Sequence, residues 1–169
     1  WLQRLSRRCL GVGRGETESP DAAVADSPKG ALGRRGEALA ARCLRRQGMR
    51  ILARNLVIGR YEIDIVAGDA DTVVFVEVKT RSSVTFAPPE WAVTAAKRRR
   101  LRAAARQYLR RWGPAESRSG AVPIRFDVVA IAWPPDGGKP ATRHIRGAFD
   151  ERLSGNDRAW RRRVGKEKR

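Results

Sequence analysis

Two short apolar runs that follow one another closely constrain the fold of this chain most. Residues 61–67 and 73–80 are rich in Ile, Val and Phe, and the sequence Gly-Asp-Ala-Asp separates them. Such runs, bounded by Gly and Asp, are typical of strands joined by a turn. The sequence therefore predicts an antiparallel hairpin. With the loop at 69–72, the numbers of paired residues sum to 141, which places Asp64 directly opposite Glu77.

The side chains of this hairpin alternate between two faces of different character. Every second side chain of a strand lies on the same face. One predicted face is wholly apolar and holds Ile63, Ile65, Val74, Val76 and Val78. The other predicted face mixes charged and apolar side chains, namely Glu62, Asp64, Glu77, Lys79, Val66, Val73 and Phe75.

The opposed carboxylates indicate a cation site. Asp64 and Glu77 repel each other unless a cation lies between them. Mg²⁺ binds one or two protein carboxylates together with water and substrate phosphate oxygens, and Mn²⁺ is the alternative cation. Lys79, two residues beyond Glu77, can orient a metal-bound water or neutralise charge on a phosphorane. The three residues predict a phosphodiesterase site, although alternating acid and base on a strand also fits a solvated surface.

The rest of the chain predicts two helices and further strands around the hairpin. The helices follow from apolar residues at three- to four-residue spacing, and the strands from short apolar runs. In chain order the predicted elements are a helix from Leu32 that Gly48 ends, a strand over 51–57, the hairpin, a helix from Pro89 to about Trp112, a strand over 124–132 and a short segment over 144–149. This order indicates one mixed α/β domain.

Composition separates this domain from two tails. Residues 11–30 are rich in Gly, Ser, Pro and acids and are typical of a linker, so we expect a flexible segment over 1–30, a domain over 31–150 and a basic tail over 151–169. Cys9 and Cys43 have no spacing typical of a zinc site or a disulfide framework. The chain shows neither a secretory h-region nor the roughly 20 apolar residues that span a bilayer. We therefore expect a cytoplasmic protein that does not enter a membrane.

Charge points to a polyanionic partner. The chain has 36 Lys and Arg residues against 18 Asp and Glu residues, a formal net charge of +18. Arg binds phosphate oxygens in pairs, although a high Arg share also follows from a GC-rich genome. The predicted second helix carries the densest basic run, so DNA is the expected partner, and a membrane surface or an acidic protein stays an alternative. The expected nucleic-acid contacts are Thr94, Lys97, Arg98, Arg102 and Arg106.

These motifs together resemble a known nuclease group. Asp64, followed after twelve residues by Glu77-Val78-Lys79, is similar to the metal site of the PD-(D/E)XK nuclease superfamily. A wider set of segments resembles the YraN family of bacterial proteins, which is similar to archaeal Holliday junction resolvases. These segments are Gly36-Glu37-Ala38, Asn55, Glu62-Ile63-Asp64, Phe75 to Arg81, Ala92-Val93-Thr94, Lys97, Leu101, Arg125 to Val129, His144-Ile145 and Ala148-Phe149.

The resemblance implies a fold, an activity and a ligand set. The fold is a restriction-endonuclease-like core of order αβββαβ with a mixed sheet flanked by helices, and the activity is Mg²⁺-dependent hydrolysis of phosphodiester bonds in DNA, including branched or structured DNA. By position, Asp64, Glu77, Glu37 and the carbonyl of Val78 would bind metal, and Lys79 would be the catalytic lysine beside Asp64 and Glu77. Glu37 also fits an ordinary first-turn glutamate stabilised by the helix dipole.

Two further expectations concern assembly and the competing interpretation. Resolvase-like action on two strands would favour a symmetric homodimer. A noncatalytic nucleic-acid-binding protein with a vestigial nuclease fold is the alternative to an endonuclease. His144, the only histidine, is expected to have a structural role, because no Ser or Cys forms a nucleophile motif with it.

Overall fold

The computed structural model describes residues 28–82, 93–112 and 123–149. In these ranges the elements are α1 (Pro28–Arg46), β1 (Arg50–Ile58), β2 (Tyr61–Asp69), β3 (Thr72–Ser82), α2 (Ala95–Trp112), β4 (Ile124–Trp133) and β5 (Ala141–Phe149). The predicted α/β class and the order αβββαβ are confirmed, with β5 as a full additional strand. The segments predicted as an N-terminal linker and a C-terminal tail fall almost wholly outside the described residues.

One five-stranded mixed sheet organises the described residues. Its strand order is β1-β2-β3-β4-β5, and all neighbours are antiparallel except β3 and β4, which are parallel. Parallel neighbours need a crossover connection, and α2 lies in that connection. No helix in the described ranges is long and apolar enough to cross a membrane.

Both faces of the sheet are covered, one by each helix. The core on the α1 side contains Ala40 and Leu44 of the helix with Ile65, Val74 and Val76 of the hairpin. The core on the α2 side is larger, and its helix residues are Leu101, Ala104, Ala105, Tyr108 and Trp112. The apolar side chains of each face are almost fully buried. The candidate site therefore lies in a sheet held rigid from both sides.

The hairpin register is confirmed over its inner part. Ile65 pairs with Val76 and Gly68 with Val73, so the paired numbers sum to 141 as predicted. The turn is tighter than predicted, because Asp69 also pairs with Thr72. Ala70 in that turn adopts a φ of 50°, the left-handed conformation that two-residue hairpin turns require.

The predicted division of the hairpin into two faces is wrong at Ile63. Ile63 belongs to the core on the α2 side, whereas Ile65 belongs to the core on the α1 side. Residues two apart on a regular strand share a face, so β2 departs from regular alternation between these two residues, where its pairing with β3 ends. The other face, predicted to mix charged and apolar side chains, packs against α2 through Val66 and Phe75.

The helix ends follow local signals, with two corrections. The first helix begins at Pro28 and not at Leu32, so residues 28–30, predicted to belong to the flexible segment, are helical. Gly48, with a φ of 84°, ends α1 in a Schellman motif in which Met49 N donates to Leu44 O and Gly48 N donates to Arg45 O, both at 3.0 Å. The second helix begins at Ala95 and not at Pro89, which lies outside the described residues.

Candidate functional site

The candidate site forms where β2 and β3 separate. The β2–β3 pairing ends at Ile65 and Val76, one pair before the predicted pairing of Asp64 with Glu77. Beyond that point Val78 N donates a hydrogen bond of 2.7 Å to Asp64 Oδ2. In a continuous ladder a backbone carbonyl of β2 would accept this N–H. Here the carboxylate of Asp64 accepts it instead. This bond fixes the half-buried Asp64 side chain against β3, next to Glu77.

Glu77 is a buried acid held between two lysines. Its residue is 1% exposed, and its Oε1 lies 2.6 Å from Lys79 Nζ. Its Oε2 lies 3.0 Å from Lys97 Nζ, but this contact lacks hydrogen-bond geometry, and Oε2 has no hydrogen-bond partner among the described residues. Burial, the largest single effect, lowers the pKa of Lys97, but the contact with Glu77 and the charges of Asp64 and Glu62 together raise it above its ordinary value.

Lys97 reaches this position because of the way α2 begins. Thr94 Oγ1 accepts a hydrogen bond of 3.2 Å from Lys97 N, so Thr94 caps the helix and Lys97 lies in its first turn. Lys97 was predicted to contact nucleic acid, whereas in the structure its ammonium lies 3.0 Å from Glu77 Oε2. The spacing of Thr94 and Lys97 is typical of a helix cap and could have predicted where α2 begins. It could not have predicted that this end of α2 lies over β3.

Glu37 approaches the site from the other helix. At Gly36 a side chain would clash with Thr80 of β3, so glycine allows α1 to come close to that strand. Glu37 follows directly, and its Oε2 is buried without a hydrogen-bond partner among the described residues. The first turn of α1 holds no acid, so the alternative of a first-turn glutamate is wrong. The charge of Glu37 is the smallest of the effects that raise the pKa of Asp64, so the two side chains lie near each other.

The pKa of Asp64 reflects its burial and the charges of the neighbouring acids. Burial, then the charge of Glu77, raise the pKa of Asp64 to about 7, and Glu37 adds to the effect. The hydrogen bond from Val78 and the charge of Lys97 act in the opposite direction but do not compensate. Near neutral pH the carboxyl of Asp64 is therefore only partly ionised without a further cation.

The donor set fits a hard divalent cation, although it is not assembled into a closed cage. Within the described residues no three His, Cys, Asp or Glu side chains form a ready metal cluster. Glu37 and Glu77 nevertheless each hold a buried oxygen that lacks a hydrogen-bond partner there. Carboxylate oxygens are the ligands that Mg²⁺ and Mn²⁺ prefer, and Mg²⁺ usually takes only one or two of them. Glu37, Asp64 and Glu77 are therefore the residues that could hold such an ion.

The residues predicted to contact nucleic acid do not share one surface. Thr94 and Arg106 are exposed, and Arg98 is half-buried. Arg102 is 9% exposed, and its guanidinium lies over the Phe149 ring at 5.4 Å from the ring centre. The prediction of an exposed cationic face is wrong at Arg102, because this face of α2 packs against β5.

A second buried acid, which sequence analysis missed, lies on the neighbouring strand. Asp127 of β4 is 0% exposed and accepts four hydrogen bonds. The donors are Arg125 Nε at 2.8 Å and Gly147 N at 2.9 Å to Oδ1, and Arg125 Nη2 at 3.0 Å and His144 Nε2 at 2.9 Å to Oδ2. Burial raises the pKa of Asp127, but these donors outweigh it and hold the pKa below its ordinary value.

This second network joins several elements of the fold. His144 Nδ1 lies 2.7 Å from Gln47 Oε1, just beyond the end of α1, and Arg125 Nη2 donates to Asp69 Oδ2 at 2.9 Å. Gly147, with a φ of 58°, lies where β5 bulges against β4. The spacing of Arg125 and Asp127 on one strand face was a signal for a local ion pair, but the partners from β5 were not visible in the sequence.

Comparison with known proteins places this chain in a family. The family model described as "Uncharacterised protein family UPF0102" matches residues 36–131, which include the candidate site. A UPF0102 protein of Solibacter usitatus is 50% identical over 123 residues, covering 69% of this chain and 84% of the relative. A UPF0102 protein of Nocardia farcinica is 46% identical over 121 residues, with 72% and 91% covered. One from Symbiobacterium thermophilum is 46% identical over 118 residues, with 70% and 95% covered. The chain belongs to the UPF0102 family, which is the YraN family that its motifs resemble.

Proposed function

We propose that this protein is a Mg²⁺-dependent endonuclease that hydrolyses phosphodiester bonds in DNA. The observation that carries the proposal is the cluster of Glu37, Asp64 and Glu77. In it a buried oxygen of Glu37 has no hydrogen-bond partner among the described residues, and the buried Glu77 meets the ammonium groups of Lys79 and Lys97. In the same cluster the pKa of Asp64 is raised to about 7. The resemblance of the motif to the PD-(D/E)XK nucleases supports the same interpretation.

The energetics of the cluster favour a bound cation. A buried acceptor without a partner costs about 1–3 kcal/mol, and more when it is charged. Acids that repel one another add to this cost. A divalent cation would offset both the cost of the acceptor without a partner and the repulsion between the acids. Lys79 and Lys97 supply only part of the compensating positive charge. We therefore assign Glu37, Asp64, Glu77 and the Val78 carbonyl as metal ligands.

The same residues supply what phosphodiester hydrolysis needs. A Mg²⁺ ion held by Glu37, Asp64 and Glu77 would supply Lewis-acid chemistry, polarising a phosphoryl oxygen and favouring attack by water. Lys79 connects the buried acid with the surface, because its ammonium contacts Glu77 while its side chain is 39% exposed. In that position Lys79 orients the attacking water or stabilises negative charge on the phosphate.

The DNA would bind beside this cluster through the basic surface of α2. Thr94, Arg98 and Arg106 stay candidate contacts, whereas the burial of Arg102 removes it from this set. Contacts to phosphates carry no sequence information and make binding dependent on salt. Branched or structured DNA is the proposed substrate, and cleavage of two strands would use a symmetric pair of chains.

The test compares cleavage by the wild type and by Asp64→Ala on linear, nicked, flapped and four-way DNAs in Mg²⁺, Mn²⁺ or EDTA. We expect the wild type to cut at least one branched DNA with a divalent cation and not in EDTA. Asp64→Ala should lower the rate by at least about 100-fold and leave DNA binding largely intact.

The matched control is Asp71→Ala, which removes an exposed acid from the turn of the same hairpin. It should cut like the wild type. Cleavage by purified Asp64→Ala at the wild-type rate would show that the site is wrongly assigned. Binding without any cleavage by the wild type across all DNAs and cations would favour the noncatalytic alternative.

A further inference from the structure

A basic cavity lies next to the candidate metal site and takes no part in it. It has a volume of about 590 Å³ and is lined by Arg60, Tyr61, Ala96, Arg99 and Arg100. Arg60 belongs to the turn between β1 and β2, Tyr61 begins β2, and the other three lie in the first turns of α2. The cavity therefore forms where the start of β2 meets the start of α2.

The lining of this cavity is strongly basic. Three of its five lining residues are arginines, and none is an acid. Like charges that converge on one space repel one another, so the site favours an anionic occupant. The guanidinium group binds phosphate oxygens through two parallel hydrogen bonds. A phosphate group is the anion that this set of side chains matches best.

Arg60 and Tyr61 lie against each other in the lining of the cavity. The Arg60 guanidinium lies 5.4 Å from the centre of the Tyr61 ring, and Arg60 Nη2 donates to Tyr61 OH at 3.3 Å. Tyr61 is half-buried and packs against the core on the α2 side, which holds its ring in place. Guanidinium planes and aromatic rings are the surfaces on which proteins stack unpaired bases.

The cavity has the size of one nucleotide and opens to the surface. A volume of about 590 Å³ corresponds to a linear dimension of about 8 Å, within the range of small-ligand cavities. One base with its phosphate fits such a space, and the opening gives an unpaired nucleotide access to it.

The position of the cavity relates it to the cluster of Glu37, Asp64 and Glu77. Tyr61 precedes Asp64 by three residues on β2, about 10 Å along an extended strand. Ala96 directly precedes Lys97, whose ammonium contacts Glu77. A stacked nucleic-acid strand rises about 3.4 Å per nucleotide, so a strand bound at the cluster would reach the cavity within a few nucleotides.

From these observations we propose that the cavity binds an unpaired nucleotide of the DNA strand close to the bond that is cut. Arg99 and Arg100 bind its phosphate, and its base stacks on the surface formed by Arg60 and Tyr61. This inference rests on the proposed endonuclease function and names its substrate class. DNA with a single-stranded segment beside the cut, such as a flap, is then preferred over a continuous duplex.

The test measures binding in EDTA, so its result does not depend on cleavage. The full chain is titrated into a fluorescent oligothymidylate and, separately, into a blunt duplex of the same length. We expect Arg99→Gln/Arg100→Gln to weaken binding of the single strand roughly tenfold or more, through two lost phosphate contacts. Binding of the duplex should change by less than about threefold.

A second double variant controls for the loss of two positive charges. Arg54→Gln/Lys139→Gln removes two exposed cations that do not line the cavity, and it should weaken both ligands by less than about threefold. Thermal unfolding of each variant, followed by circular dichroism, verifies that the fold is retained.

Stacking is tested separately with 2-aminopurine in the single strand. Stacking should quench its fluorescence on binding to the wild type and to Tyr61→Phe, which keeps the ring. The quenching should be lost in Tyr61→Leu. The proposal is overturned if the cavity variants weaken the duplex as much as the single strand, or if Tyr61→Leu quenches like the wild type. Failure of the endonuclease proposal would instead leave these binding results as expected and abolish cleavage alone.

Discussion

Two buried acids on neighbouring strands have opposite surroundings. Glu77 of β3 and Asp127 of β4 lie one register position apart, because Val76 pairs with Asp127. Asp127 accepts four hydrogen bonds, and its pKa is lowered. Glu77 has an oxygen without a hydrogen-bond partner in the described residues, and it helps to raise the pKa of Asp64.

The comparison shows that burial alone does not make an acid a candidate for function. The chain can surround a buried carboxylate with donors, as it does at Asp127. The acids at Glu37, Asp64 and Glu77 lack such a full set of donors, so the fold holds them at a cost in stability. We therefore assign cation binding to Glu37, Asp64 and Glu77, whose burial is costly and whose oxygens are hard metal ligands. We assign a structural role to Asp127.

The largest expected effect comes from Asp127→Asn. The NH₂ group of the amide would face Arg125 and either Gly147 or His144, so two buried hydrogen bonds would be lost and Arg125 would lose one of its two carboxylate partners. We expect a loss of about 3–5 kcal/mol in the free energy of unfolding, measured with urea at pH 7. A loss below about 1 kcal/mol would mean that the network at Asp127 does not stabilise the fold.

A smaller effect of opposite sign is expected for Asp64→Asn in EDTA. The carbonyl oxygen of the introduced amide can still accept the hydrogen bond from Val78, and the repulsion with Glu77 is removed. At pH 8 we expect the free energy of unfolding to stay equal or rise by about 1–3 kcal/mol. A loss as large as that of Asp127→Asn would remove the distinction between the two clusters.

The pH dependence sharpens this comparison. The pKa of Asp64 rises from 3.8 to about 7 on folding, so the unfolded chain releases this proton at lower pH than the folded chain does. The contribution of Asp64 to stability therefore falls as pH rises from about 4 to 7. Relative to Asp64→Asn, the wild type should lose stability across this window. Folding lowers the pKa of Asp127, so its contribution to the free energy of unfolding is fully present above pH 3.8. This contribution is lost as the pH falls below 3.8.

The sequence predicted the fold best where the signals were local. The inner hairpin register followed from loop length and the apolar pattern, and the inner pairs confirm it. The prediction was wrong at Ile63 and Asp64, because Asp64 takes a backbone N–H of β3 and ends the regular pairing. The full length of β5 was missed because Ala141 to Phe149 is only weakly apolar and forms a strand by pairing with β4.

The site was predicted in part for the same reason. Glu77 and Lys79 are close in sequence, and the structure brings them into contact. The contribution of Lys97 depends on how α2 packs over β3, which periodicity does not encode. Arg102 belongs to the basic run of the second helix and was predicted to contact nucleic acid, yet the packing of α2 on Phe149 buries it. Asp127 gave no clear signal, because two of its four hydrogen bonds come from β5, whose pairing with β4 the sequence did not predict.

Titration with Mn²⁺ tests the distinction between the two acid clusters most directly. Calorimetry on the wild type should show binding that weakens as pH falls below about 7, because the cation must displace the proton from Asp64. Asp64→Asn should weaken binding by at least about tenfold at pH 8. Equal Mn²⁺ affinity in the wild type and Asp64→Asn, or no binding to the wild type, would contradict the assignment of Glu37, Asp64 and Glu77 as a cation site.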